Sequence, residues 1–169
     1  MITIYKTVNP RSINDNLIKC FAEEWALITA GTKEGYNMMT ASWGFTGEMW
    51  GDDSVAIAVR PQRYTMKFIE ENDYFTVSFY GNRKDIHKVC GSKSGRDVNK
   101  TEEAGLTPAI GEKYVYFKEA RMVLVVKKQF VQRISPESFT EKEIIDRWYP
   151  EKDFHNLIIG KIEKVLIAE

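Results

Sequence analysis

Two short basic stretches carry the clearest chemistry in this chain. Ser92-Lys93-Ser94-Gly95-Arg96 combines hydroxyls, two cations and a glycine, a composition whose successive N–H groups can turn inward as an anion-binding nest. The surrounding segment from Arg83 to Lys100 holds six Lys/Arg against two Asp, in a chain of formal net charge zero. The second stretch, Arg60-Pro61-Gln62-Arg63-Tyr64-Thr65, sets two arginines on either side of a proline turn. Arg60, Arg63 and Arg96 can each offer a forked contact to a phosphate, whereas Lys93 acts as a point charge. Residue types alone leave the loop at 92–96 open to a second reading as a solvated surface loop. Upstream, Thr40-Ala41-Ser42 are small enough to bring backbone amides against a flat ligand that Trp43 could wall, though the same residues suit an ordinary strand with Trp43 in the core. Together the stretches suit an anionic, planar ligand.

The elements that must position these residues follow from periodicity. Val55, Ile57 and Val59 alternate with Ala56 and Ala58 as in a strand, with Arg60 at its end. Pro61 lacks an N–H and ends the ladder, and Tyr64, Phe68 and Ile69 then fall at helical spacing, which predicts a helix over 64–71. Residues 26–30 read as a strand closed by Gly31, with a polar hairpin loop at 32–35 and a partner strand over 37–43. Gly44, Gly47, Gly51 and Asp52-Asp53 are expected to interrupt the chain before the Val55 strand. Further strands are predicted at 74–80, 120–127, 130–134 and 157–168, with a turn at Lys127-Lys128 and a bulge near Gly160, where the apolar phase breaks. Short helices are predicted at 85–90, 100–105 and 141–148, and residues 1–18 as a lead-in packed on the surface.

No repeat, linker or low-complexity segment divides the chain, so residues 1–169 read as a single domain. Six or seven strands with a few short peripheral helices point to a mainly β, closed barrel. Hydrophobic residues make up 43% and charged residues 28% of the chain, a soluble globular composition. With Lys+Arg and Asp+Glu both at 24, the chain lacks the basic excess of a nucleic-acid binder. No apolar run has the length of a membrane span, and Met1-Ile2-Thr3-Ile4 does not begin like a signal peptide, which predicts a cytoplasmic protein with no membrane partner. Cys20 and Cys90 have no metal-ligand spacing. There is neither a GxSxG nor a GxGxxG motif, so a serine triad and a Rossmann nucleotide site are not expected.

Three of these motifs, in this order, carry a resemblance: Asn37-Met38-Met39-Thr40-Ala41-Ser42-Trp43, Val59-Arg60-Pro61-Gln62-Arg63-Tyr64-Thr65, and Cys90-Gly91-Ser92-Lys93-Ser94-Gly95-Arg96-Asp97. They resemble the flavin reductase-like family of FMN-binding split barrels, its flavoredoxin-type members above all, over about residue 25 to the C-terminus. The resemblance implies a Greek-key split barrel that binds FMN. Its implied cofactor contacts are Asn37, Met39, Thr40, Ala41, Ser42 and Trp43 beside the ring, Arg60, Pro61, Gln62, Arg63 and Thr65 at the turn, and Cys90, Ser92, Lys93, Ser94 and Arg96 in the loop. Ser78, on the neighbouring strand, is a further candidate. Cys90 reads either as a reactive thiol beside cations or as a small buried apolar residue. His87 lies in a charged helix and is expected to be solvated. For His155 the resemblance implies a catalytic place beside flavin and nicotinamide, carried by the histidine and by Gly160, with Asp153-Phe154 where relatives have Gly-Asp.

The resemblance implies an oxidoreductase that takes hydride from NADH or NADPH onto FMN and passes electrons to a small-molecule or protein acceptor. Because the flavin supplies the hard chemistry, no acid–base dyad is required. The alternative is a flavoredoxin-like FMN carrier reduced by a protein partner; a weaker one is a related barrel holding haem or a pyridoxamine phosphate-type ligand. Relatives of this type are homodimers with the flavin near the interface.

Overall fold

The computed structural model describes residues 3–169. The strand-forming runs pair into one eight-stranded antiparallel sheet. In chain order its strands are β1 (Tyr5–Val8), β2 (Ala26–Thr32), β3 (Gly35–Ala41), β4 (Gly44–Met49), β5 (Asp52–Val59), β6 (Tyr74–Phe79), β9 (Met122–Arg133) and β10 (Asn156–Ala168). A separate hairpin pairs β7 (Pro108–Ile110) with β8 (Val115–Phe117). The path across the main sheet runs β3-β2-β6-β9-β10-β5-β4, with β1 added to β10. Its two ends, β3 and β4, are separated in sequence only by Ser42 and Trp43, so the sheet has to curl until those ends approach. That requirement closes the barrel.

β10 holds the barrel together because it is long. It pairs with β9 on one side, and on the other with β5 through its first half and β1 through its second. Part of the expected surface lead-in is therefore a strand, and residues 1 and 2 lie outside the described residues. The predicted bulge at Gly160 is present: the register with β9 shifts between Ile159 and Gly160. A Cβ on Gly160 would lie 2.5 Å from Val126 Cγ1 and 2.6 Å from the Lys127 carbonyl oxygen. This bulge corrects the expected turn at Lys127-Lys128, since the phase inverts there and one continuous strand looks like two. Gly44 and Gly47 likewise do not break the chain. They lie in β4, and Trp50 and Gly51, both at positive φ, make the two-residue turn into β5.

Side-chain alternation divides the interior in two. Phe75, Val77 and Phe79 of β6 and Met122, Leu124 and Val126 of β9 point into the barrel with Ile28, Ile57 and Ile158. Val123 and Val125 point the other way, under a second layer that includes Ile86, Cys90, Leu106 and Phe117. This outer layer comprises the β7–β8 hairpin with α3 (Lys84–Ser92) and α4 (Lys100–Glu103). The remaining helices are α1 (Leu17–Lys19), which continues as a turn over Cys20–Glu24, α2 (Tyr64–Glu71) and α5 (Glu143–Trp148). Among the described residues no helix is long and apolar enough to cross a membrane.

Candidate functional site

Two adjoining cavities lie where the ends of β3 and β5 meet α2, the loop after α3 and the segment after α5. The larger, about 300 Å³, is lined by Asn37, Met39, Gln62, Arg63, Tyr64, Thr65, Ser92, Lys93, Ser94, Arg96 and Lys100. The smaller, about 170 Å³, is lined by Met39, Thr40, Ala41, Ser42, Trp43, Ala58, Arg60, Arg63, Trp148 and His155. Met39 and Arg63 wall both. The two form one groove with unlike ends.

The larger end is built for an anion. Pro61 turns the chain so that Arg63 N–H donates to the Arg60 carbonyl at 3.1 Å, and α2 then starts at Tyr64. Its first turn has neither a side-chain cap nor an acid, so its free N–H groups and the positive end of the helix dipole remain available. Asn37 Nδ2 donates to Thr65 Oγ1 at 2.9 Å, tying β3 to this turn. Gly95 brings the loop against the same asparagine: a Cβ there would lie 2.0 Å from Asn37 Oδ1. Arg96 lies over the Tyr64 ring, its guanidinium carbon 4.5 Å from the centroid. Lys93 is ion-paired with Glu103, and Arg60 with Asp153. Arg63 and Arg96 have no carboxylate partner among the described residues, and no Asp or Glu lines this cavity.

The smaller end is walled by aromatic rings. Trp43 packs against His155 with centroids 4.7 Å apart and against Trp148 at 5.2 Å. Arg60 Nη2 donates to the Trp148 carbonyl at 2.9 Å, pinning the C-terminal end of α5 over this end. His155 is buried, its Nδ1 2.8 Å from the Tyr149 hydroxyl. Burial first, and then the Arg60 charge, lower its pKa to about 4, so the imidazole is neutral at neutral pH.

Most of the residues named from the sequence converge here. Asn37, Met39, Thr40, Ala41, Ser42, Trp43, Arg60, Gln62, Arg63, Thr65, Ser92, Lys93, Ser94, Arg96 and His155 all line the groove. Three do not. Pro61 shapes the turn without lining either cavity. Ser78 is fully buried on the outward face of β6, the face on which Thr76 Oγ1 donates to the Val115 carbonyl; Leu27 of β2 stands in register between it and Thr40, so it lies two strands in from the groove wall and lines neither cavity. Cys90 is buried with Ile86 in the outer layer, where burial pushes its thiol up to about 11, which supports the apolar reading over the reactive one.

His87 also differs from expectation. It is 2% exposed rather than solvated, its Nδ1 2.9 Å from Thr40 Oγ1, and burial lowers its pKa to about 4. Sequence reasoning missed Lys100, Tyr64, Ala58 and Trp148 as groove residues. Tyr64 lay inside a matched motif and Trp148 on a helical apolar stripe, whereas nothing in one dimension distinguished Lys100.

A family model described as flavin reductase like domain matches residues 18–169. The chain belongs to this family. Solved structures share the fold of this flavin reductase-like chain. Flavoredoxin from Methanosarcina acetivorans aligns with a TM-score of 0.66 at 20% identity, covering 94% of this chain and 75% of that one. An FMN-binding domain of a flavin reductases-like enzyme from Shewanella baltica aligns at 0.67 and 16%, covering 99% and 78%. Nitrilotriacetate monooxygenase component B from Bacillus cereus aligns at 0.67 and 17%, covering 97% and 82%. At such identities these likenesses speak for the fold, the split barrel expected from the sequence. No curated protein sequence matches the flavin reductase-like chain significantly.

Proposed function

We propose that the groove holds FMN and that the protein is an oxidoreductase taking hydride from NADH or NADPH and passing electrons to an acceptor. The observation that carries this reading is the groove's asymmetry. An anion end with two unpaired guanidiniums and a free helix N-terminus runs into a slot walled by Thr40, Ala41, Ser42, Trp43 and His155. A phosphate on a short chain attached to a flat ring matches that order of environments. FMN also appears in the description of the Shewanella baltica structure.

When bound, FMN supplies the hydride-accepting and electron-releasing chemistry. The chain's own contribution is binding, orientation and exclusion of water. Arg63, Arg96, Ser92, Ser94 and the first turn of α2 take the phosphate, and Thr40, Ala41 and Ser42 lie along the ring. His155 stays neutral. The Tyr149 phenol, its pKa raised chiefly by burial, lies with its oxygen 2.8 Å from His155 Nδ1 and holds the imidazole in place. The functional unit is a homodimer, a reading supported by Phe45, Met49 and Trp50, which stand exposed on β4 and its turn.

An anaerobic titration of the FMN-loaded protein with NADH and then NADPH, followed by the loss of visible flavin absorbance, tests the reading. Rapid bleaching by either nucleotide supports it and names the donor. Bound FMN that neither nucleotide bleaches transfers the case to a flavoredoxin-like carrier reduced by a protein, the reading favoured by the likeness to the Methanosarcina flavoredoxin. Failure to bind FMN removes both.

A further inference from the structure

His87, on the face of α3 that packs against β3, is a buried imidazole whose one side-chain partner belongs to the groove. It is 2% exposed, and its Nδ1 lies 2.9 Å from Oγ1 of Thr40, which walls the smaller cavity. Its other ring nitrogen, Nε2, is buried with no hydrogen-bond partner among the described residues. Gly91, one turn further along the same helix face, allows this approach: a Cβ there would lie 3.3 Å from Thr40 Cβ. The rings of Trp25 and Tyr80 stand edge-on to the imidazole, with centroids 5.9 and 6.1 Å away. Trp25 reaches that place through a strained backbone, φ 71° and ψ 153°, a region that few residues other than glycine occupy. The Lys84 ammonium lies 3.5 Å from the centroid of the Trp25 ring.

Packing alone does not call for a histidine here. A leucine would fill the space under Trp25 and Tyr80 without desolvating a polar ring, and one neutral hydrogen bond offsets only part of that cost. Burial first, and then the Lys84 charge, keep the imidazole neutral down to about pH 4. The contact therefore fixes a hydroxyl rather than placing a charge, and it does so whichever ring nitrogen carries the proton. Without it, the hydroxyl and methyl branches of Thr40 can exchange places on the wall of the slot.

We propose that His87 is a positioning residue for the isoalloxazine ring: through its bond to Thr40 it fixes which branch of that side chain, hydroxyl or methyl, the bound ring meets. The proposal rests on the reading of the groove as a flavin site. A histidine that only tied α3 to β3 would act elsewhere. Its loss would let the end of α3 and the loop at 92–96 drift, and that loop serves the phosphate rather than the ring.

The test is a double-mutant cycle of His87→Leu and Thr40→Val, read by fluorescence titration with FMN and with riboflavin, which has the ring and lacks the phosphate. The expected result is that His87→Leu weakens both flavins by the same factor, several-fold and up to about tenfold for one hydrogen bond. His87→Asn, whose amide sits where Nδ1 does, should restore most of the loss, and His87→Leu should have no further effect once Thr40 is valine. A loss confined to FMN, a loss of equal size in the valine background, or unchanged affinities each overturn the proposal while the flavin reading stands. A wild type that binds neither flavin overturns the flavin reading and the proposal with it. Should His87→Leu fail to fold, protein labelled with nitrogen-15 in its histidines decides by magnetic resonance. The His87 ring lines neither cavity, so a shift of its Nδ1 resonance on adding riboflavin that disappears in Thr40→Val supports the proposal. A resonance that does not move, or that moves equally in Thr40→Val, overturns it.

Discussion

Cations that look alike in sequence have unequal freedom in this fold. Lys93 and Arg60 are each neutralised by a carboxylate, whereas Arg63 and Arg96 face the larger cavity without one. Replacing Arg63 or Arg96 by Ala is therefore expected to weaken FMN binding by about tenfold or more, in keeping with roughly 1.5–3 kcal/mol for a charged contact. Lys93→Ala is expected to cost less than either, since Glu103 already screens it. Equilibrium titrations of the three single variants check the ranking, and a Lys93 effect as large as that of Arg96 would contradict it.

Among the elements, two glycines mark where backbones must approach closely, with different consequences. Gly95 presses the anion loop against Asn37, which in turn holds Thr65 at the start of α2. Gly95→Ala pushes the loop away from β3, so FMN affinity should drop several-fold with little change in melting temperature. Gly160 is the bulge that lets β10 keep both β9 and β5, and the atoms crowding it include backbone of β9. Gly160→Ala should cost about 1–3 kcal/mol of stability by overpacking, read by urea denaturation, while the FMN affinity of the folded fraction is retained. The opposite pattern in either variant would mean that the roles of these two glycines are misassigned.

At the scale of the whole molecule, two buried neutral histidines link stability to pH. His87 and His155 both fall from 6.5 to about 4, burial being the largest cause in each. Between those values the unfolded chain binds more protons than the folded one at these two sites, so their contribution to stability is lost as pH falls from 6.5 to about 4 and changes no further below. Each can contribute a loss of up to about 3 kcal/mol. Melting curves across this range should show the decline, and His87→Gln should flatten it; a curve unaffected by the substitution would show that His87 titrates normally. Association belongs to the same scale. Phe45 on β4, a strand at the end of the sheet path, is 62% exposed, and Trp50 in the turn that follows it is 59% exposed. Light scattering is expected to find a dimer that Phe45→Lys dissociates; a monomeric wild type would rule out the dimer.

The features legible in one dimension are those set by local periodicity and backbone chemistry. Helix α2, strand β6, the Gly160 bulge and the loop at 92–96 were readable because alternation, helical spacing, proline and glycine leave local marks. The matched motifs also identified most of the groove wall, since the loop, the turn and the end of β3 each carry their own signature. What remained hidden depends on which layer covers which face. β6 reads the same whether Ser78 points to the groove or beneath the β7–β8 hairpin, and only the outer layer decides it. His87 looks solvated until α3 is laid on the sheet with Thr40 beside it. Lys100 looks like any surface lysine until the carbonyls of Met38 and Cys90, 62 and 10 residues away, close around its ammonium. A side chain's charge and size belong to its own position, but its solvation and partners are set by segments distant in sequence, and these govern pKa, burial and the freedom to bind a ligand.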